Sequence, residues 1–237
     1  MSSSTAHPWT SPDHLRADEV VDHHHPAVRD LAATLGADRL PSHEYAEAAF
    51  TYVRDRIPHS DDVGDPRVTW RASDVLTRST GICHAKAHAL AALLRAAGVP
   101  AGLCYQRLRR TDEDPSTVVH GLIAVALPGG DGWHRQDPRG GEPGRAARFS
   151  LAAEHLAWPV RPELGEADLP GVHAAAHPRV LTALRSARHR EDHRPHGADQ
   201  RQHQPGGGGG RGHRDAAARR PLRHLLHPCP ARPKRSP

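Results

Sequence analysis

One stretch, TGICHAKAHALAALLRAAGVP over residues 80–100, constrains this chain more than any other. It reads as a turn, then a cysteine in the first turn of a helix, then an Ala/Leu-rich helix. Gly98 lies where a left-handed C-terminal cap would sit, and Pro100 stops the helix from continuing. A cysteine at a helix N-terminus faces unpaired backbone N–H groups and the positive end of the helix dipole. Both favour thiolate over thiol, which suits Cys83 to the role of nucleophile. The position equally suits a small residue that only packs, and on this stretch alone both readings stand.

Two amphipathic helices precede it. Pro26 can open the first, with Val28, Leu31, Ala32 and Leu35 as its apolar face and Gly36 as its stop. The second follows Pro41-Ser42, puts Tyr45, Ala48, Ala49, Tyr52 and Val53 on one face, and ends at Pro58. A short helix over Ala72–Leu76 should be capped near Ser73 or Asp74. His23-His24-His25 reads as exposed loop rather than metal site, because no second cluster with ligand spacing accompanies it. Ser60–Pro66 reads as a solvated acidic loop whose spacing is not that of a calcium loop.

After Pro100 the pattern changes to that of strands. Ala101–Arg110 is the first. Val118–Leu127 is apolar on both faces, as a central strand would be. A turn over Pro128–Asp131 leads into a third strand, Gly132–Asp137, which Pro138 stops. Residues 139–189 are mixed, with partly helical readings around Phe149–Trp158 and Val180–Leu184.

His120 interrupts the apolar run of the central strand. If Val125 pairs with Gly132 across the turn, His120 and Asp137 stand directly opposite each other on one face. A carboxylate beside an imidazole fixes its tautomer and stabilises the imidazolium. A cysteine helix packed on that sheet would bring Cys83 to His120, giving a nucleophile, a base and an orienting acid. Lys86, one turn along from Cys83, either favours the thiolate or is a solvated helix-face lysine.

Gly81-Ile82-Cys83 opens a helix that ends Arg95-Ala96-Ala97-Gly98-Val99-Pro100-Ala101. A strand carrying His120 follows, then Trp133 with Asp137-Pro138-Arg139. In that order these segments resemble the three motifs of the transglutaminase-like superfamily, over roughly residues 42–140. The resemblance implies a papain-like α+β fold, in which N-terminal helices, one bearing the cysteine, pack on an antiparallel sheet carrying His and Asp. It implies acyl transfer through a thioester on Cys83, with the Cys83 backbone N–H helping to hold the oxyanion. Some members use an upstream Trp indole for that purpose. Trp70 stands upstream, either in that role or as a hydrophobic plug under the site. Gln106 either lines the cleft or is a plain strand residue.

No stretch of these residues reads as the large flanking β-domains of the animal cross-linking enzymes, and the resemblance to small bacterial members makes hydrolysis of a peptide or amide bond the expectation. Transamidation stays open, because water and an amine compete for the same thioester. Two rivals stand beside the enzyme: a non-catalytic peptide-binding or scaffold module of the same fold, and a zinc site of Cys83, His84 and His88. The last two have the i, i+4 spacing of helical ligands, but no fourth ligand has a claim. The expectation is therefore a peptide, protein or small amide substrate and no cofactor.

Three regions follow from this reading: an extension with one helix (1–41), the transglutaminase-like domain (42–189) and a basic tail (190–237). The tail carries 11 Lys+Arg against 4 Asp+Glu, whereas residues 1–189 are slightly acidic, so the alkaline balance says little about the folded part's partner. Five consecutive glycines at 206–210 and few core-forming residues make disorder the expectation for the tail. With few aromatic residues there to stack on bases, no nucleic acid is expected as a partner of the folded domain. Cys83, Cys104 and Cys229 are too few and too scattered for a disulfide framework. Met1–Trp9 has no basic cluster with an apolar run, and no stretch approaches membrane-spanning length, so the expected location is cytoplasmic, with no membrane partner. Two lysines against thirty arginines suggest a GC-rich bacterial gene.

Overall fold

The structure, a computed structural model, describes residues 10–140 and 147–187. The expectations for Met1–Trp9, for Cys229 and for the tail lie outside those residues. At the centre stands α4 (Cys83–Ala96), in which every residue from Cys83 to Arg95 is buried. A helix without a polar face belongs in the middle of a domain, covered on all sides. Three helices and a sheet cover it.

α1 (Pro26–Leu35) stops at Gly36, whose φ of 101° is open to glycine at little cost. Its Val28 and Ala32 share one core with Val20, Val21, α2 (Ser42–Arg56) and α4. The buried face of α2 is Tyr45, Ala46, Ala49, Phe50 and Val53, rotated from the expected one towards Phe50. Phe50 turns inward to meet Phe149, ring centres 5.9 Å apart. Tyr45 Oη donates to the Leu93 carbonyl at 2.7 Å and ties α2 to α4. α3 (Ala72–Arg78) is not capped by its own residues. Asp22 reaches in from upstream and accepts from the Ser73 N–H (3.0 Å) and hydroxyl (2.5 Å), so Ser73 receives a cap instead of supplying one.

The sheet has four strands, β1 (Ala101–Arg109), β2 (Thr117–Val125), β3 (His134–Gln136) and β4 (Ala167–His173), in the order β3-β2-β1-β4 with antiparallel neighbours. Leu103, Tyr105, Ile123 and Val125 join the helical core. Cys104, Leu122 and Ala124 form a second cluster with Leu156. Burial on both faces is why β2 reads as a continuous apolar run.

Two expectations are corrected here. Phe149–Trp158 is irregular, not helical: the Ser150 hydroxyl accepts from the Ala152 and Ala153 N–H groups, and the Gln136 amide pairs with the Ser150 backbone in both directions. Side chains thus take the backbone groups that a helix would have used. The His23-His24-His25 triplet is not wholly exposed either, since His23 is buried against the Leu15 carbonyl (3.1 Å) and His25 caps α1. The apolar reading near Val180–Leu184 corresponds to α5 (Pro178–Ser186), which buries Val180, Ala183 and Leu184. No helix among the described residues is long and apolar enough to cross a membrane.

Candidate active site

Cys83 is the first residue of α4, after an extended Ile82, and no side chain caps that helix end. The turn before it is held tightly. Thr69 Oγ1 donates to the Thr80 carbonyl at 2.8 Å, the Ser60 N–H donates to the Gly81 carbonyl at 3.2 Å, and His59 forms a parallel bridge with Gly81. The start of α4 also lies hard against β2. A Cβ on Gly121 would sit 3.0 Å from His84 Cα and 2.7 Å from its ring, so only glycine there lets the helix end come this close. His120 is the residue beside Gly121, and its ring contacts the Cys83 side chain.

Asp137 reaches His120 by a different register from the expected one. β3 pairs Ile123 with Gln136, Ala124 with Arg135 and Val125 with His134, two residues out from a pairing of Val125 with Gly132. The chain does not turn back directly after Val125: the Ala126 N–H donates to Pro100 and the Gly130 N–H to Leu127, which lengthens the connection. A shift of two preserves the face, because strand side chains alternate with period two. The pair is therefore diagonal rather than opposite, and His120 Nε2 lies 2.9 Å from Asp137 Oδ2. The other ring nitrogen is left for Cys83.

Both members of the pair are buried, His120 fully. A desolvated carboxylate needs donors, and Asp137 has three: His120, the Arg139 N–H on Oδ1 (3.0 Å) and the Ala157 N–H on Oδ2 (3.0 Å). Trp158 stands edge-on to His120, centres 4.9 Å apart, and closes this side of the site. Arg139 lies over the Trp158 ring and forms a two-pronged ion pair with Asp62 (2.5 and 2.7 Å). The loop read as solvated thus supplies a partner to the Asp-Pro-Arg motif. Burial works against a charged His120. The Asp137 and Cys83 charges, with hydrogen bonds to both, outweigh it and hold His120 above the ordinary histidine range.

Trp70 is not brought to Cys83 by any described contact. Its ring is half-buried against the helical core and carries the guanidinium groups of Arg71 (4.5 Å) and Arg185 (4.7 Å). Gln106 is buried directly across from His120 in the β1–β2 register; its amide donates to Asp168 at 2.8 Å and its Oε1 finds no partner. Lys86 is not solvated: it is buried, and its ammonium donates to the Ile57 carbonyl (2.5 Å) and the Arg54 carbonyl (3.3 Å) at the end of α2. Burial, with the Arg139 charge, pushes its pKa down to about 7. Of the residues weighed as zinc ligands, His88 directs Nδ1 to the Trp70 carbonyl at 2.8 Å. Among the described residues no group of three His, Cys, Asp or Glu is arranged to hold a metal ion.

Two further histidines flank the thiol. His84 Nδ1 lies 3.5 Å from Cys83 Sγ. His59, fully buried after Pro58, faces the same sulfur. His120 has a carboxylate within hydrogen-bonding distance, Asp137 at 2.9 Å, whereas Asp61 Oδ2 stands 3.8 Å from His59 Nδ1. Nothing periodic marks His59 in the sequence; the bridge to Gly81, a tertiary contact, is what places it.

Residues 29–138 match the family model of the transglutaminase-like superfamily. The matched residues, a little under half of the chain, are transglutaminase-like. That match supports cysteine-based acyl transfer as the general chemistry of this region, on an α+β transglutaminase-core fold. No curated protein matches the sequence. Solved structures that it resembles include a candidate cysteine protease from Cytophaga hutchinsonii (18% identity, TM-score 0.42), covering 53% of this chain and 40% of that one. Others are the periplasmic domain of TgpA from Pseudomonas aeruginosa (22%, 0.41, covering 53% and 45%) and the arylamine N-acetyl transferase of M. smegmatis (22%, 0.39, covering 55% and 51%). The chain thus spans between 40% and 51% of these proteins' lengths.

Proposed function

We propose that the domain transfers acyl groups through a thioester on Cys83, most simply hydrolysing a peptide or amide bond. The observation that carries this reading is the buried His120–Asp137 pair, 2.9 Å apart, with its imidazole against the thiol at the start of α4. His120 takes the thiol proton as the thiolate attacks the carbonyl carbon, then returns it to the leaving amine as the C–N bond breaks. Asp137 holds the ring in one tautomer and stabilises the imidazolium. The Cys83 N–H, in the first turn of α4 at the positive end of the helix, serves the oxyanion. Water regenerates the thiol in hydrolysis and a second amine does so in transamidation, with the same residues acting in both.

A non-catalytic peptide-binding module is the second reading. The burial of Cys83, 5% exposed, favours it, since a substrate needs access to the sulfur.

The test is alkylation by iodoacetamide against pH, with Cys104 as internal control, followed by mass analysis of the protein after exposure to activated esters and peptide amides. Burial pushes the Cys104 thiol up to about 12, so it stays inert below neutral pH. The enzyme reading expects Cys83 to alkylate at pH 6 at least about a hundredfold faster than Cys104, and to carry an acyl adduct that Cys83→Ala lacks. Equal sluggishness of both thiols, with no adduct, transfers the lead to the binding module.

A further inference from the structure

His59, like His84, is a group at this site that the triad does not use. Its ring is fully buried. The parallel bridge with Gly81 and the Ser60 N–H bond to the Gly81 carbonyl fix its backbone two residues before Cys83. The Asp61 N–H donates to Nδ1 from 3.4 Å, and Asp61 Oδ2 stands farther off at 3.8 Å from the same nitrogen; with Nδ1 as the acceptor of the nearer contact, the ring proton is on Nε2. Nε2 has no partner of hydrogen-bonding geometry. The side chain it faces is Cys83. A buried donor without an acceptor is destabilising in the resting state, unless charge is to appear in front of it.

We propose that His59 is a second imidazole acting on Cys83: it stays neutral and donates its Nε2–H to the sulfur once His120 has taken the thiol proton. The proposal rests on Cys83 being the nucleophile. In this step the S–H bond breaks and its proton moves to His120. The electron pair stays on sulfur, and the His59 proton is shared without being transferred. When sulfur bonds to the acyl carbon, the negative charge passes to the carbonyl oxygen and the His59 bond weakens. Burial, the first influence on His59, disfavours its charged form and outweighs the opposing effect of Cys83, which suits a donor that is not itself a base. The groups that face the sulfur and its partners come from four elements. They are His59 and Asp61 after α2, His84 and His88 in α4, His120 in β2, and Asp137 with Arg139 after β3.

Three variants of the full chain separate the donor from the shape: His59→Gln, which keeps an N–H near the Nε2 position, His59→Asn, which keeps only the link towards Asp61, and His59→Leu. The readout is the pH midpoint of Cys83 alkylation, taken on samples whose melting curves show a folded domain. The expectation is a midpoint near wild type for Gln and about one pH unit higher for Asn and Leu, a tenfold loss of thiolate at pH 6, the size of one charge-assisted hydrogen bond. Should Leu not fold, the Gln and Asn pair decides alone. Unchanged midpoints in all variants overturn the proposal, and so does an equal shift in all three. If wild-type Cys83 itself shows no fast reaction at pH 6, it is the nucleophile reading that fails.

Discussion

The two ends of α4 are built on opposite principles. At the C-terminal end the buried polar groups are matched. Arg95 donates twice to the Ala101 carbonyl (3.0 and 2.7 Å), once to Arg16 (2.7 Å) and once to Ala174 (2.6 Å). Gly98, with φ 72°, lets its own N–H and that of Val99 return to the Arg95 and Leu94 carbonyls, 3.0 Å each. At the N-terminal end no side chain caps the helix, and His59 and His84 each keep a buried Nε2 without a partner. Each such group costs about 1–3 kcal/mol. The end that holds the thiol gives up stability, and the far end supplies it. In one helix, then, the site and the anchor are separated by the helix length.

The largest test of that separation removes the anchor. Arg95→Ala removes the donor from three carbonyls of three different segments, that of Ala101 buried and those of Arg16 and Ala174 part-buried. A loss of about 3–5 kcal/mol is expected in chemical denaturation, while the folded protein keeps its Cys83 alkylation rate. If the alkylation rate falls along with stability, the two ends are coupled and the comparison breaks.

A smaller effect lies nearer the thiol and depends on pH. Burial pushes the His88 pKa down to about 4, against the help of its bond to the Trp70 carbonyl. The folded value is below the unfolded one of about 6.5, so the unfolded chain binds the proton first. The contribution is present above pH 6.5 and is lost as pH falls through 4, about 3 kcal/mol in all. His88→Asn keeps a donor near Nδ1 and cannot titrate there. Its denaturation midpoint is expected to fall less steeply than wild type between pH 6.5 and 4. An identical slope would assign the acid sensitivity to other groups.

What the sequence showed of this site follows the range of the forces involved. The start and stop of α4, and His120 and Asp137 on one face, rest on local periodicity and survive a register error of two, because parity is all the argument needed. β4 was not legible. Ala167–His173 contains Pro170 and Gly171 and shows no alternation, so its strand character comes from pairing with β1. Lys86 looked like surface because lysine usually is surface. It is buried because the α2 C-terminus presents carbonyls to it. His59 and Trp158, which close on the thiol and on His120, lie 24 residues before Cys83 and 38 after His120. Neither belongs to a pattern, and only the folded chain brings them in.

The smallest expected effect sharpens the comparison most. Gly98 takes φ 72°, yet a Cβ built there meets nothing within 4 Å. Gly98→Ala therefore carries the left-handed backbone penalty alone, about 1 kcal/mol, readable as a shift in the denaturation midpoint with Cys83 alkylation unchanged. Gly121, at the other end of the helix, has no such room: an added methyl would press on the His84 backbone, which belongs to the turn that carries the thiol. A cost at Gly98 well above 1 kcal/mol would show that the C-terminal end is as tightly constrained as the site. One near that value means glycine serves conformation at the anchor and close approach at the thiol, two different demands met by the same residue type.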